Sequence, residues 1–234
     1  MGQKKLIRFA ELETFSNVLQ YPQGMAGNWN NHFGNGYPIT LELACGKGEY
    51  AVGLAKQYPQ RNFIGVDVKG ARLWVGAKKA LTEGLCNVAF LRAQIDGINS
   101  FFAVGEIADI WITFPDPQLR HSKDKKRLTH PKFLRKYQQL LQPGGLIHLK
   151  TDSPPLYHFT KRVVELYRCT LHHDIPHVHN GEPRPPELTI KTHYEGLDIA
   201  GAARVHYLAF SLPAVLPGAA LDKQLHQEEL HDVF

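Results

Sequence analysis

Cysteine is scarce: Cys45, Cys86 and Cys169 are all there is in 234 residues, and no two form a Cys-x-x-Cys pair. This excludes a disulfide framework and a thiolate zinc site, and it fits a reducing compartment. Long apolar runs are missing too. Nothing approaches the roughly 20 residues that a membrane span needs, and the charged stretch from Met1 to Lys5 leads into no signal-length hydrophobic segment, so a cytoplasmic location is expected. There is no internal repeat or low-complexity tract, which sets aside solenoids and disordered linkers.

What remains has the composition of an ordinary globular chain, 43% hydrophobic and 21% charged, with a length that supports one sizeable core. The formal net charge is +5, and Arg120, Lys123, Lys125, Lys126 and Arg127 crowd into eight positions. Such a run is either a footprint for phosphates or a solvated loop.

Residues 1–36 carry Gly24, Gly27, Gly34 and Gly36 among Asn28, Asn30 and Asn31, lack sustained periodicity, and read as an extended arm. From Ile39 the pattern changes. An apolar run to Ala44 ends in Cys45-Gly46-Lys47-Gly48, after which Tyr50, Val52, Leu54 and Ala55 recur at helical spacing. Asn62 to Val68 is a second strand, followed by a helix over Ala71 to Leu81 that Gly84 closes. Val88 to Leu91, Ala108 to Phe114 and Leu146 to Leu149 are further strands, with helices over Phe133 to Leu141 and from about Leu156 to Tyr167. This alternation predicts an α/β fold with a mostly parallel sheet. Cys169 to Ile175 and Val205 to Leu212 break it and read as an antiparallel hairpin-like addition, which makes seven strands. The chain thus divides into an arm over 1–36, a core domain over 37–212, and a loosely held tail over 213–234.

In such sheets ligands sit beyond the carboxyl ends of the strands, where strand order reverses. Gly46 and Gly48 let a ligand approach the backbone of the first turn, and Asp67 ends the second strand where a carboxylate can take both hydroxyls of a ribose. Glu42 precedes the turn. The turn lacks G-x-G-x-x-G, and Glu49 at the helix start would oppose a pyrophosphate. A nucleoside cofactor without phosphates, S-adenosylmethionine, is the better expectation. Phe114-Pro115-Asp116-Pro117 holds one carboxylate between two prolines at the strand edge, unless Asp116 is only a turn residue. Asp152 stands on the same edge, and Thr192 reads as the cap of a short helix carrying His193, Tyr194 and Glu195.

These segments resemble the bacterial tRNA (guanine-N(7)-)-methyltransferase family, whose mark is F-P-D-P followed by a basic run, P-G-G and T-D. The resemblance runs from Leu41 to about Glu195. It implies a Rossmann-like class I methyltransferase fold, S-adenosyl-L-methionine as cofactor, and methylation of N7 of a guanosine in the tRNA variable loop. By position it places Glu42, Gly46, Asp67, Gln94 and Asp116 at the cofactor and makes Asp116 the catalytic residue. It gives Arg120, Asp152, Thr192, His193, Tyr194 and Glu195 to the substrate. Departures are Gln118-Leu119 for Trp-Pro, Arg120 for Lys, Ala44 for the first glycine, and Gln94 for Asp or Asn, whose adenine contact Asp96 could take. The alternative is a catalytically inactive RNA-binding subunit of the same fold. His172, His173, His177 and His179 match no ligand spacing, so no metal is expected. The partner is tRNA, with no membrane and no obligate protein partner, as monomer or homodimer.

Overall fold

The computed structural model describes residues 2–196 and 204–231. In chain order it has α1 (Gly2–Leu12), β1 (Val18–Gln20), α2 (Trp29–Phe33), β2 (Ile39–Leu43), α3 (Glu49–Gln57), β3 (Asn62–Asp67), α4 (Gly70–Thr82), β4 (Val88–Arg92) and β5 (Ile107–Thr113). These are followed by α5 (Pro131–Leu140), β6 (Leu146–Thr151), α6 (Pro154–Leu166), β7 (Thr170–Ile175), α7 (His193–Gly196), β8 (His206–Ser211) and α8 (Ala220–His231). The eight strands form one sheet in the order β1-β4-β3-β2-β5-β6-β8-β7. All neighbours are parallel except the β6–β8 and β8–β7 pairs. The continuous apolar runs are strands buried on both faces: every residue of β2 and β3 is buried. Chain order runs outward from β2 through β3 to β4 on one side and from β5 to β6 on the other, so strand order reverses between β2 and β5.

The eighth strand lies in the segment read as an extended arm, and that reading is corrected. Residues 2–12 are helical, with the Trp74 indole donating to Glu11 at 2.7 Å and Arg8 stacked over the Trp74 ring. β1 extends the sheet along β4. Trp29 is wholly buried, donates to the Phe101 carbonyl at 2.8 Å, and stacks on Phe102. The stabilising partners lie some 60 to 70 residues downstream, which is why no local period announces them.

The tail is corrected as well. α8 packs against α6, and its Leu225 is 2% exposed and shares a core with Trp29. Arg135 grips Asp222 with two nitrogens at 2.7 and 2.9 Å, and Arg162 grips Glu228 at 2.7 and 2.8 Å. Leu225→Ala is expected to lower unfolding free energy by about 2–4 kcal/mol in urea titrations, the cost of truncating a packed leucine. An unchanged midpoint would show that the helix is not docked.

Polar residues line one face of the central strand β6. His148 stacks on Trp111 with centroids 4.1 Å apart and shares a 2.8 Å hydrogen bond with the Tyr207 hydroxyl. Burial lowers its pKa to about 4. Two residues on, Lys150 is 0% exposed.

Candidate active site

A cavity of about 530 Å³ opens where strand order reverses. Its wall is built from the ends of four adjacent strands: Glu42 and the turn 44–47 after β2, Asp67 after β3, Thr113 to Pro117 after β5, and Asp152 after β6, with Thr192 closing one side. This is the crevice that topology assigns to ligands in open parallel sheets.

The β2 turn is shaped by backbone sign. Ala44, Gly46 and Gly48 all have positive φ (55°, 57° and 68°), and Ala44 adopts it at the position where glycine was the expected residue. Alanine there carries a steric cost on the order of 1 kcal/mol. The two glycines serve different ends. At Gly46 no atom lies within 4 Å of where a Cβ would stand, so a ligand can settle on the backbone; at Gly48 a Cβ would come 2.3 Å from the Phe90 ring. Gly48 is therefore needed for packing, not for ligand approach.

The Asp67 carboxylate is fixed at both oxygens: the Gly46 N–H donates to one at 2.9 Å and the Lys69 N–H to the other at 2.8 Å. A second lone pair on each oxygen remains for a diol. Glu42 is 3% exposed and accepts from the Ala51 N–H at 2.8 Å and the Thr113 hydroxyl at 2.9 Å. Burial raises its pKa from 4.5 to about 8, against the pull of those two hydrogen bonds. A raised carboxyl pKa means the folded chain keeps a proton that the unfolded chain has lost. This contribution to stability is full below about pH 4.5 and is lost as pH rises through about 8. Thermal melts of Glu42→Gln should show a flatter decline between about pH 5 and 8 than the parent chain. Parallel curves would remove the buried proton from the account.

After β5 the chain turns sharply at Phe114, whose φ is 45°, with its N–H bonded to the Lys150 carbonyl at 2.8 Å. Asp116 follows, exposed at the cavity edge, and its Oδ1 accepts the Gln118 N–H at 3.0 Å. Both readings of this segment thus hold together: Asp116 is a turn residue, and the turn presents it to the cavity. Arg127, counted in the basic run, is 4% exposed; it donates to the Pro117 carbonyl at 3.3 Å and lies over the Phe159 ring. It braces the loop from beneath. Asp124 is buried too and meets His226 of α8 at 2.7 Å, while Arg120, Lys123, Lys125 and Lys126 are exposed.

The structure separates the remaining sequence candidates. Asp152 and Thr192 reach the cavity. Gln94 is exposed after β4 and does not line it, and Asp96 is paired with Lys132. Thr192 caps α7 as expected, accepting the Glu195 N–H at 3.2 Å while Glu195 accepts the Thr192 N–H at 3.4 Å, a reciprocal capping box. Glu195 itself is turned inward, 2.7 Å from the Lys150 ammonium and 2.8 Å from His179. His193 is exposed at the start of α7, and the Tyr194 side chain lies outside the described residues. Sequence reasoning missed Lys47, Lys69 and Arg72 on the cavity wall and the burial of Lys150. The V-D-V-K-G segment around Asp67 was a usable signal for Lys69, and Lys47 stands in the glycine turn itself; Arg72 depends on how α4 packs, and the burial of Lys150 on what covers β6.

Of the histidines His172, His173, His177 and His179, His172 in β7 bonds to Ser211 and His179 in the turn after it to Glu195. Among the described residues no three His, Cys, Asp or Glu side chains are arranged to hold a metal, and no helix is long and apolar enough to cross a membrane.

The lining suits a cationic nucleoside. With Glu42 holding its proton at neutral pH, four carboxylates (Glu49, Asp67, Asp116, Asp152) stand against three cations (Lys47, Lys69, Arg72), a balance that favours a sulfonium with an ammonium over a pyrophosphate.

Comparison with known proteins points the same way. A family model described as "Putative methyltransferase" matches residues 36–202. A tRNA (guanine-N(7)-)-methyltransferase of Porphyromonas gingivalis is 47% identical over 213 residues, 86% of each chain. One from Christiangramia forsetii is 45% identical over 229 residues, covering 91% of this chain and 100% of the relative. Among solved structures, a 16S rRNA methyltransferase, KamB, superposes with a TM-score of 0.62 at 15% identity, over 84% of this chain and 99% of that one, a likeness of fold.

Proposed function

The chain belongs to the tRNA (guanine-N(7)-)-methyltransferase family, and we propose that it transfers a methyl group from S-adenosylmethionine to N7 of a guanosine in tRNA, in the cytoplasm. The observation that carries this reading is the position of Asp116, presented by a proline-bracketed turn at the edge of an acid-rich cavity at the switch point of the sheet.

Glu42, Gly46 and Asp67 would hold the cofactor, Asp67 by accepting from the ribose hydroxyls. Bound there, S-adenosylmethionine supplies an electrophilic methyl group on a sulfonium. Guanine N7 offers an in-plane lone pair and has no proton to lose, so the chain needs no general base. Its task is positioning, with reacting atoms about 3 Å apart. Asp116 accepts from the N1 and N2 donors of the guanine and offsets the positive charge that builds on the ring. Arg120 and the exposed lysines of the following turn meet the phosphates, while Asp152 and Thr192 close the opposite wall.

The direct test incubates the purified chain with labelled S-adenosylmethionine and unmodified bulk tRNA, followed by nucleoside analysis. Labelled 7-methylguanosine is the expected product. Binding of tRNA with no methylated nucleoside would favour an inactive RNA-binding subunit instead.

A further inference from the structure

On the far side of the turn 46–49, next to the active-site cavity and sharing Lys47 and Glu49 with it, lies a second hollow of about 410 Å³ between α3 and α4. Four ammonium groups line it, from Lys47, Lys56, Lys79 and Lys191, against the single carboxylate of Glu49. Lys56 is engaged by Glu83 at 2.8 Å. For Lys47, Lys79 and Lys191 the structure gives no ion pair among the described residues. Like charges gathered around one concavity repel each other, and a bound anion relieves that repulsion.

The hollow is also held in shape. Its floor includes Gly53 and Gly76: a Cβ on Gly53 would stand 2.8 Å from Ile190, and one on Gly76 only 2.4 Å from the Lys47 carbonyl oxygen. α4 is thus packed to backbone contact with the turn, and α3 against the Ile190 side chain. The Lys191 end is fixed from inside, because the Lys150 ammonium donates to the Ile190 carbonyl at 3.0 Å. These lysines therefore stand on a rigid frame.

We infer that this hollow is a phosphate-binding subsite for the backbone of the substrate RNA. A nucleotide whose base enters the cavity must carry its strand away in two directions. The exposed Arg120, Lys123, Lys125 and Lys126 follow the loop 114–117, and the lysine hollow adjoins the turn 46–49; both segments line the cavity. One strand passing both segments meets positive charge at each. The inference rests on the tRNA reading and adds to it a second, separate contact surface.

Lys79 and Lys191 are exposed and take no part in the cavity lining, so Lys79→Gln/Lys191→Gln in the full chain should fold normally. Binding to unmodified tRNA, measured across a potassium chloride series, should show a log K against log salt slope shallower by roughly 1.5, the loss of two phosphate contacts. The tRNA KM should rise several-fold, with kcat at saturating tRNA and cofactor affinity unchanged, and the Lys→Arg pair should keep the parent slope. An unchanged slope in a variant of a parent chain that does make 7-methylguanosine overturns the subsite alone; a parent chain that neither binds nor methylates tRNA overturns the wider reading. In amine-acetylation footprinting, tRNA should protect Lys79 and Lys191 and inorganic phosphate should not. Equal protection by phosphate would overturn the RNA assignment in favour of a small-anion site.

Discussion

Asp116→Ala is expected to lower the single-turnover methylation rate by about 100-fold or more while changing cofactor affinity only a few-fold, the scale for removing one preorganised stabilising group. The residue is exposed and its side chain holds a local hydrogen bond to the Gln118 N–H, so the melting temperature should barely move. The deficit should therefore be chemical and not structural. Asp116→Asn sharpens the test. An asparagine amide keeps one acceptor oxygen but sets its NH2 group against the other guanine donor and carries no charge, so it should recover little of the loss. A rate near that of the parent chain in either variant would remove Asp116 from the reaction.

The second large effect is in folding. Lys150 is 0% exposed and its ammonium is met by Glu195 at 2.7 Å and by the Ile190 carbonyl at 3.0 Å. Glu195→Ala should cost about 3–5 kcal/mol in denaturant titrations, since it leaves a buried charge without its counterion. Burial lowers the Lys150 pKa and Glu195 opposes that shift, so without Glu195 the lysine pKa falls further. A depressed lysine pKa means the folded state binds fewer protons than the unfolded state, so the variant should regain stability as pH rises toward the ordinary lysine range. Lys150→Met/Glu195→Leu, which removes both charges, should recover most of the loss. If Glu195→Ala were as stable as its parent at neutral pH, the pair would not hold the 186–195 segment to the sheet. Thr192 sits in that segment, so its place in the cavity wall depends on a bond formed on the other side of the backbone.

Much of the site was legible because its residues mark strand ends. The Ile39–Leu43 run, the glycine turn, Asp67 and the segment 114–117 each combine an apolar stretch with a local breaker, and the sheet brings those ends together. Thr192 was legible as a cap because the Thr-x-x-Glu spacing is itself local. The same spacing concealed the inward role of Glu195, since a capping glutamate and a buried counterion look alike until β6 supplies the lysine. Arg127 was misjudged for a related reason. Charge along the chain does not tell whether a guanidinium points to solvent or lies over Phe159. The arm and tail were unreadable as folded elements because Trp29 and Leu225 find their partners only in the assembled core.

The strand order carries a consequence for biogenesis. β8, residues 206–211, lies inside the sheet between β6 and β7, although it is the last strand made. Until it leaves the ribosome, β6 has no neighbour on its outer side and β7 has none at all. The parallel half of the sheet can assemble during synthesis, but the half that buries Lys150 must wait until residue 211 has been made, so a product terminated before β8 would display a bare strand edge suited to aggregation.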